Sequence, residues 1–307
     1  MRDLAHGARP ANAEHDIHFE GHSMSILLTG GTGFVGSSVL RALIAAGYQV
    51  DAVVRNDAAG EKVAASGARA IEHILPDTDW LTLELEQSDG FIHLATPGDG
   101  TDAEFDDAVI DSAIAAFTGT DKPFIYTGGI WVYGDGEDIT EEAALAAPEL
   151  TAWREARVQR LFGSGIAASL IEPGIVYGYG KGIPNVISGA PRTEDGALTL
   201  IGSGDQHWTT VHVDDLSDLY VLALQKATRG ERYLGVNGES VTTRQLAEAV
   251  VGPDGEVAPG DLEVTRAVLG DGFTEALLLD QRATGSKARS ELGWNPRRPS
   301  ILTELGG

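Results

Sequence analysis

The sequence predicts an α/β fold in which a doubly wound parallel sheet is covered by helices on both faces. Two observations lead to this prediction. Short apolar runs alternate with segments of helical apolar spacing from residue 25 to about residue 171, and the connections between them are short. Parallel strands are joined by right-handed helical crossovers, so successive units of this kind build one sheet. At 307 residues, the chain is long enough to bury a large core.

The predicted elements follow one another with little interruption. The first strand is Ile26-Leu27-Leu28, a glycine-rich turn follows it, and a helix over 34–46 leads to a second strand over 48–54. The next predicted elements, in chain order, are a helix over 58–66, a strand at 68–71, a helix at 78–87, a strand at 90–94, a helix over 102–117, a strand at 123–127, a helix at about 149–162 and a strand at 167–171. Beyond Pro173 the alternation loosens. It continues as a strand end passing into a helix over 211–225, a short strand at 232–234 and mostly short helices from 241 onward.

The charge balance and the residue types that are missing exclude several classes of function. The chain has 22 Lys+Arg against 46 Asp+Glu, a net charge of -24, which repels nucleic acid and anionic membrane surfaces. No apolar run approaches the roughly 18 residues of a membrane span. Without cysteine there is no disulfide or thiolate zinc site, and we expect a cytoplasmic protein. No histidine pair has metal-ligand spacing, so we expect no metal.

A glycine-rich turn between the first strand and the first helix predicts a dinucleotide site. The segment Thr29-Gly30-Gly31-Thr32-Gly33-Phe34-Val35-Gly36 has glycines at 30, 33 and 36. Glycine lets the backbone approach a pyrophosphate, and the helix N-terminus supplies N–H groups and a positive dipole end. We therefore predict a Rossmann-type domain with cofactor contacts from Gly30, Thr32, Gly33, Phe34, Val35 and Gly36. No lysine follows Gly36, which excludes the phosphate loop of nucleoside triphosphatases.

The residue at the end of the second strand selects between the two nicotinamide cofactors. NAD sites usually place an acidic residue there, whereas an arginine suits the 2′-phosphate of NADP. This chain has Arg55-Asn56, and Asp51 lies four residues earlier, inside the strand. We expect NADP as the cofactor, with NAD as the less favoured alternative. The alternative interpretation of Arg55 is an ordinary surface charge with no role in binding.

The domain organisation follows from the elements and the turn. Residues 24–178 are expected to form the dinucleotide-binding domain, completed by about 211–236. Residues 179–210 and 237–307 are expected to form a small C-terminal lobe on the substrate side, interleaved with the first domain. Residues 1–23 are polar, carry four of the eight histidines and lack the apolar centre of a secretory signal. We expect them to be a disordered leader or a tag outside the fold.

Several motifs in order resemble the short-chain dehydrogenase/reductase superfamily, in its extended and atypical, epimerase/dehydratase-like branch. They are TGGTGFVG (29–36), FIHLA (91–95), YTGGIWVYG (126–134), EPGIVYGYG (172–180), VHVDDL (211–216) and LGWNP (292–296). The resemblance implies an NAD(P) domain with a small C-terminal substrate lobe. It also implies further cofactor contacts from Leu94, Ala95, Thr127, Arg157, Pro173, Gly174 and Val176.

The catalytic residues that this resemblance implies are replaced here. The family uses a serine after the fifth strand, and a tyrosine and a lysine four residues apart on the next helix. The corresponding residues are Gly129, Trp153 and Arg157. An indole has no proton to exchange near neutral pH, and arginine stays cationic. Arg157 can still donate to ribose hydroxyls, so cofactor binding is expected to persist while the standard mechanism is in doubt.

Three hydroxyl-bearing residues remain as catalytic candidates beside Arg157. Thr127 is the hydroxyl nearest to the lost serine, although a strand-end threonine can equally bond the backbone. Tyr133 and Tyr177 occupy motif positions that lie beside the cleft in the family, although each could be a packing residue. His207 could titrate on the substrate side, but a structural role is the stronger interpretation.

Three functions stay open, all of which use the same cofactor. The leading hypothesis is an NADP(H)-dependent oxidoreductase acting on a small carbonyl or alcohol. The alternative is a non-catalytic NADP(H)-binding or redox-sensing protein, and the third is an epimerase or dehydratase. Nucleotide-sugar enzymes of the superfamily grip the diphosphate with an arginine before VHVDDL, where this chain has Trp208. We therefore expect a neutral, partly apolar substrate, and a homodimer is an open alternative for the assembly.

Overall fold

A seven-stranded sheet forms the centre of the computed structural model, which describes residues 23–306. The described strands are β1 (Ser25–Thr29), β2 (Gln49–Val54), β3 (Arg69–Glu72), β4 (Gly90–His93), β5 (Phe124–Thr127), β6 (Gly136–Ile139), β7 (Ala168–Pro173), β8 (Ile175–Gly178), β9 (Lys181–Gly182), β10 (Leu198–Thr199), β11 (His207–His212), β12 (Arg232–Gly235), β13 (Ser240–Thr242), β14 (Val257–Ala258) and β15 (Gln281–Ala283).

The described helices range in length from four to sixteen residues. They are α1 (Phe34–Ala45), α2 (Asp57–Ala65), α3 (Thr78–Gln87), α4 (Asp102–Phe117), α5 (Glu149–Ala152), α6 (Arg154–Gly163), α7 (Asn185–Ser188), α8 (Val213–Lys226), α9 (Thr243–Val251), α10 (Leu262–Leu269), α11 (Asp271–Leu277), α12 (Ser286–Leu292) and α13 (Ile301–Gly306), with a 3₁₀ turn at Ile130–Tyr133. No described helix has the length and apolar character needed to cross a membrane.

The main sheet has the strand order β12-β7-β5-β4-β1-β2-β3, and every neighbouring pair is parallel. One apolar core lies between the sheet and α1 and α8 on one face, and includes Leu40 and Tyr220. A second lies between the sheet and α3, α4 and α6 on the other face, and includes Leu85 and Phe117. The prediction of a doubly wound α/β sheet covered on both faces is confirmed.

A smaller lobe is built from the later segments. Its four-stranded sheet has the order β13-β11-β8-β9, and a separate apolar core that includes Trp208 and Leu246 packs beneath it. The segments alternate between this lobe and the main sheet, since β12 returns to the edge of the main sheet after β11 and α8. The domain bounds given above remain predictions, and the leader expected at 1–23 lies outside the described residues except for Ser23.

The helix predicted over 149–162 is not continuous in the structure. The structure divides it into α5 and α6, which meet at Trp153. The Trp153 carbonyl accepts a hydrogen bond of 2.8 Å from the Arg157 guanidinium. This interruption lies at the carboxyl edge of the sheet, and it changes which side chains of the helix reach that edge.

Candidate functional site

The turn after β1 is tight enough to require glycine at two positions. Gly30 has φ +76°, and a Cβ placed there would lie 2.5 Å from the Leu94 carbonyl carbon. A Cβ on Gly36 would lie 2.1 Å from the Gly30 oxygen. The Gly33 N–H donates to the same oxygen at 2.9 Å, so the turn closes on itself and brings the start of α1 against the end of β1.

The first turn of α1 offers its backbone N–H groups to a ligand. Gly33 is the N-cap residue, no side chain caps the helix, and no acidic residue stands in its first turn. The N–H groups of Phe34, Val35 and Gly36 therefore have no intrahelical acceptor and carry the positive end of the helix dipole. By contrast, the Asn56 side chain caps α2 by accepting from the Ala59 N–H. This arrangement fits the pyrophosphate of a dinucleotide.

The strand order places this turn at the switch point of the sheet. Chain connections run outward from β1 to β2 and β3 in one direction and from β4 to β5 in the other. In such sheets the dinucleotide lies across the carboxyl ends of the strands where the order reverses. Its adenosine half would then lie toward Arg55 after β2, and its nicotinamide half toward Leu94, Ala95 and Thr127 after β4 and β5.

A buried network of polar side chains holds the strand ends beneath the turn. Thr29 Oγ1 lies 2.7 Å from His93 Nδ1 and accepts from the Leu94 N–H at 3.2 Å. His93 Nε2 lies 3.2 Å from Asp106 Oδ1, and the other oxygen of Asp106 accepts from the Tyr126 hydroxyl. All four side-chain groups thus have partners, which rigidifies the ends of β1, β4 and β5. Sequence analysis did not single out Asp106.

The adenosine end carries one exposed arginine. Arg55 makes no ion pair within residues 23–306 and is exposed. Asp51 is held by Arg69, whose Nε lies 2.6 Å from Asp51 Oδ1 and lowers the pKa of that carboxyl. Asp57 begins α2, and the interaction of its carboxyl group with Glu72 raises the pKa of Glu72. Arg55 is therefore available to an anionic group, whereas Asp51 is not available to a ribose hydroxyl.

The carboxyl end of β5 is open where the family places its serine. A Cβ added to Gly129 would have no heavy atom within 4 Å, so a serine would fit there. The Thr127 hydroxyl already has two hydrogen-bond partners. Its Oγ1 donates to the His93 carbonyl at 2.8 Å and lies 2.8 Å from the Tyr220 hydroxyl, which donates to it. Its proposed catalytic role remains a prediction, and it would require one of these bonds to be exchanged.

The two candidate phenols are both engaged in hydrogen bonds. The Tyr133 hydroxyl donates to Glu172 at 2.7 Å, and burial together with that carboxylate raises the pKa of Tyr133 far above its usual range. The Tyr177 hydroxyl donates to the Pro299 carbonyl at 2.7 Å, and burial raises the pKa of Tyr177 in the same direction. Their assignment as proton donors remains a prediction. Either phenol would have to leave its acceptor to protonate a substrate.

The residues in the tyrosine and lysine positions are also committed to protein contacts. The Trp153 indole N–H donates to the Leu150 carbonyl at 3.1 Å. The Arg157 guanidinium pairs with Asp107 at 2.5 Å and donates to the Ala103 carbonyl at 3.0 Å. Together with its bond to the Trp153 carbonyl, these contacts fix Arg157 between α6 and α4. Its role at the cofactor ribose remains a prediction.

Arg154 is a cation at this edge that sequence analysis missed. Its guanidinium lies over the Trp153 ring, 4.7 Å from the centroid, and donates to the Thr127 carbonyl at 3.3 Å. Within residues 23–306 it makes no ion pair. Only the interruption of the helix at Trp153 reveals that the residue after the tyrosine position reaches the end of β5, and no local pattern signals that interruption.

Beneath Gly128 lies a buried carboxylate. Glu172 is only 1% exposed, and a Cβ on Gly128 would lie 3.1 Å from Glu172 Cγ. Arg232 Nη1 lies 3.7 Å from Glu172 Oε1, and Arg232 also pairs with Glu155. Burial raises the pKa of Glu172 to about 7, against an ordinary value of 4.5, although Arg232 opposes the shift.

We predict a pH dependence of stability from this carboxyl. Because its pKa is higher in the folded state, its contribution is fully present below pH 4.5 and is lost as the pH rises through about 7. The loss is on the order of 3 kcal/mol. Urea unfolding should show the parent becoming less stable relative to Glu172→Gln between pH 5 and pH 8, roughly that window. The exposed Glu137→Gln variant is the control. A parent-to-variant difference that does not change with pH would contradict the prediction.

The aromatic residues that are candidates for the substrate side have different surroundings. Trp208, which stands where the family has its diphosphate-binding arginine, is 2% exposed and donates to the Leu277 carbonyl at 2.9 Å. It is a core residue. Trp131 is half-buried and meets Phe273 edge to face at 5.9 Å. His207 pairs with Asp280 at 2.8 Å, in keeping with its structural interpretation.

A second group of cations lies beside the glycine turn. An open pocket of about 380 Å³ is lined by Phe34, Ser37, Arg41, Tyr179, Lys181 and Val213. Arg41 and Lys181 form no ion pair in the described part of the chain, although the net charge is -24. The nearby Asp214 carboxylate accepts from Ser38 and from Tyr179 and pairs with Arg298. Among residues 23–306 no three histidine or carboxylate side chains are placed to hold a metal ion.

The turn, the switch point and the altered catalytic positions define the class of protein, an extended short-chain dehydrogenase/reductase. The model of the NAD dependent epimerase/dehydratase family matches residues 26–237. The chain belongs to this family.

Characterised and uncharacterised relatives cover nearly the whole chain. An uncharacterized protein of Schizosaccharomyces pombe is 29% identical over 92% of this chain and 98% of its own. The 4-hydroxy-2-methyl-3-oxo-4-farnesyl-3,4-dihydroquinoline-1-oxide ketoreductase of Stigmatella aurantiaca is 26% identical over 89% of this chain and 92% of its own. The UDP-glucose 4-epimerase of Thermus thermophilus, solved in complex with NAD, matches with a TM-score of 0.72 at 20% identity, covering 92% and 97% of the two chains. That structural likeness establishes the fold.

Proposed function

We propose that the protein is an NADP(H)-dependent reductase that acts on a small, neutral and partly apolar carbonyl compound, or on the corresponding alcohol. The observation that carries the proposal is the open space in front of Gly129, at the carboxyl end of β5 and on the nicotinamide side of the switch point. Trp131 follows Gly129 by two residues, Trp153 lies at the junction of α5 and α6, and both indoles are half-buried. Apolar walls with few polar groups are typical of small-molecule sites.

The chain supplies the parts that hold and orient the reactants. The N–H groups of Phe34 and Val35 would hold the pyrophosphate, and Arg55 would hold the 2′-phosphate. The cofactor, when bound, supplies hydride at C4 of its nicotinamide. A ketoreductase and a vestitone reductase among the relatives carry names of this reaction class.

The proton that completes a carbonyl reduction has no dedicated donor in this arrangement. The phenols of Tyr133 and Tyr177 donate to protein acceptors, and their raised pKa values disfavour proton release. We propose that water entering the space at Gly129 delivers the proton. This makes the rate low for unactivated carbonyls and higher for activated ones, whose product oxyanions need less stabilisation.

The test of this function is turnover of NADPH with activated carbonyl compounds. Isatin, phenylglyoxal and an aromatic aldehyde would each be followed by loss of NADPH absorbance and by product analysis. Slow but saturable reduction supports the proposal. Tight NADPH binding without reduction of any of them would favour the second candidate, a non-catalytic cofactor-binding protein, which the engaged side chains at Tyr133, Trp153 and Arg157 also support.

A nucleotide-sugar epimerase or dehydratase is the third candidate. The solved neighbours include a dTDP-glucose 4,6-dehydratase of Streptomyces venezuelae with NAD and TYD bound. In this chain the position of the diphosphate-binding arginine is the core residue Trp208, whose indole is buried against Leu277. A diphosphate there would meet no lysine or arginine from β11, so the neutral substrate remains our proposal.

Cofactor preference gives a direct prediction. Arg55→Ala is expected to weaken NADP⁺ binding by about 1.5–3 kcal/mol, because a charge-assisted contact with the 2′-phosphate is lost. NAD⁺ binding should change little. Calorimetric titration of both cofactors with the parent and the variant measures the effect, and Arg229→Ala, a distant exposed arginine, is the control. Tighter binding of NAD⁺ than of NADP⁺ by the parent would refute the NADP preference.

A further inference from the structure

Two arginines of α6 share one tryptophan, but the protein uses them differently. The guanidinium carbons of Arg154 and Arg157 lie 4.7 and 5.2 Å from the centroid of the Trp153 ring. Arg157 is neutralised by Asp107 and donates to two backbone carbonyls. The Arg157 guanidinium therefore joins α6 to α4 and has these protein groups as its partners.

Arg154 has unused binding capacity at the same place. Of its five N–H donors, the one bond within residues 23–306 goes to the Thr127 carbonyl at the long distance of 3.3 Å. The residue is half-buried and stacks on a flat ring, which restricts its guanidinium without satisfying it. A partly desolvated cation with donors to spare is suited to a ligand that supplies oxygen acceptors.

The position of Arg154 indicates which part of the ligand it would contact. Thr127 ends β5, which lies on the opposite side of the switch point from Arg55. A dinucleotide that crosses the sheet with its adenosine near Arg55 brings its other ribose toward β4 and β5. Resting on the proposed NADP(H) function, we propose that Arg154, and not Arg157, binds the hydroxyls of the nicotinamide ribose, with Trp153 as the platform that orients it.

The test separates the two halves of the cofactor. NADP⁺ and adenosine 2′,5′-bisphosphate, which lacks the nicotinamide mononucleotide half of the cofactor, are titrated calorimetrically into the parent, Arg154→Met and Arg157→Met. Arg154→Met should weaken NADP⁺ by about 10- to 100-fold and leave the bisphosphate unchanged. Arg157→Met should lower the thermal unfolding midpoint, since it breaks the pair with Asp107, and leave both affinities near those of the parent. Arg55→Ala should weaken both ligands.

Each other outcome counts against the proposal. Selective loss of NADP⁺ affinity in Arg157→Met with Arg154→Met unchanged would assign the ribose to Arg157. Equal losses for both ligands in Arg154→Met would indicate only long-range electrostatics. If Arg154→Met does not fold, Arg154→Gln is measured, and failure of both to fold would show a structural role instead. A parent that binds the bisphosphate and NADP⁺ equally would overturn the inference alone, whereas a parent that binds neither would overturn the proposed function.

Discussion

Gly36→Ala is expected to lower the affinity for NADP(H) by about 100-fold or more. The new Cβ would lie 2.1 Å from the Gly30 oxygen, and since both groups belong to the backbone, no side-chain rotation relieves the clash. The turn must open, which displaces the N–H groups that face the pyrophosphate. Hydrogen bonds to charged groups contribute about 1.5–3 kcal/mol each, so losing two of them accounts for the effect.

The control for this prediction is a glycine whose surroundings leave space for a Cβ atom. Gly163 ends α6, and a Cβ there would have no heavy atom within 4 Å. Gly163→Ala should fold and bind like the parent. Calorimetric titration gives the affinities, and urea unfolding should show Gly36→Ala destabilised by about 1–3 kcal/mol, as for other overpacked sites. Parent-like affinity in Gly36→Ala would mean that the cofactor does not use this turn.

The fold could be predicted from the sequence because its determinants are local. The apolar run at 26–28, the glycines at 30, 33 and 36 and the helical spacing after them each constrain a short segment of backbone. Right-handed crossovers then leave few topologies. The helix predicted at 102–117 and the strand predicted at 90–94 accordingly agree with α4 and β4 within one residue.

Which side chains are hydrogen-bonded within the protein, and which remain available to a ligand, could not be predicted in the same way. Tyr133 and Glu172 are hydrogen-bonded across 39 residues of sequence, and Arg232 approaches Glu172 from the edge strand β12. Partners of this kind depend on which strands become neighbours. The motif spacing located Trp153 and Arg157. Asp107, which forms an ion pair with Arg157, lies 50 residues earlier, on α4. Spacing therefore identifies positions, whereas the tertiary contacts decide which donors remain available.

Restoring the proton donor is expected to have the largest effect on catalysis. Gly129→Ser with Trp153→Tyr should increase kcat/KM for reduction of isatin by NADPH about 10²- to 10⁴-fold, the usual contribution of a positioned general acid. The space at Gly129 accepts the serine, and a tyrosine ring keeps a face on which Arg154 and Arg157 can stack. Arg157 is left unchanged, because a lysine could not reproduce its pair with Asp107 together with its bonds to Ala103 and Trp153.

The matched control has the same shapes without the hydroxyls. Gly129→Ala with Trp153→Phe should reduce isatin no faster than the parent, while binding NADPH with similar affinity. Adding Arg157→Lys to the restored variant should lower its thermal unfolding midpoint, because α6 loses part of its hydrogen bonding to α4, where the contacts of Arg160 with Asp107 and Asp111 remain intact. If the hydroxyl-bearing and hydroxyl-free variants have equal rates, then the space at Gly129 is not where the substrate oxygen lies. The reductase would have to place its carbonyl elsewhere along the carboxyl ends of β4 and β5.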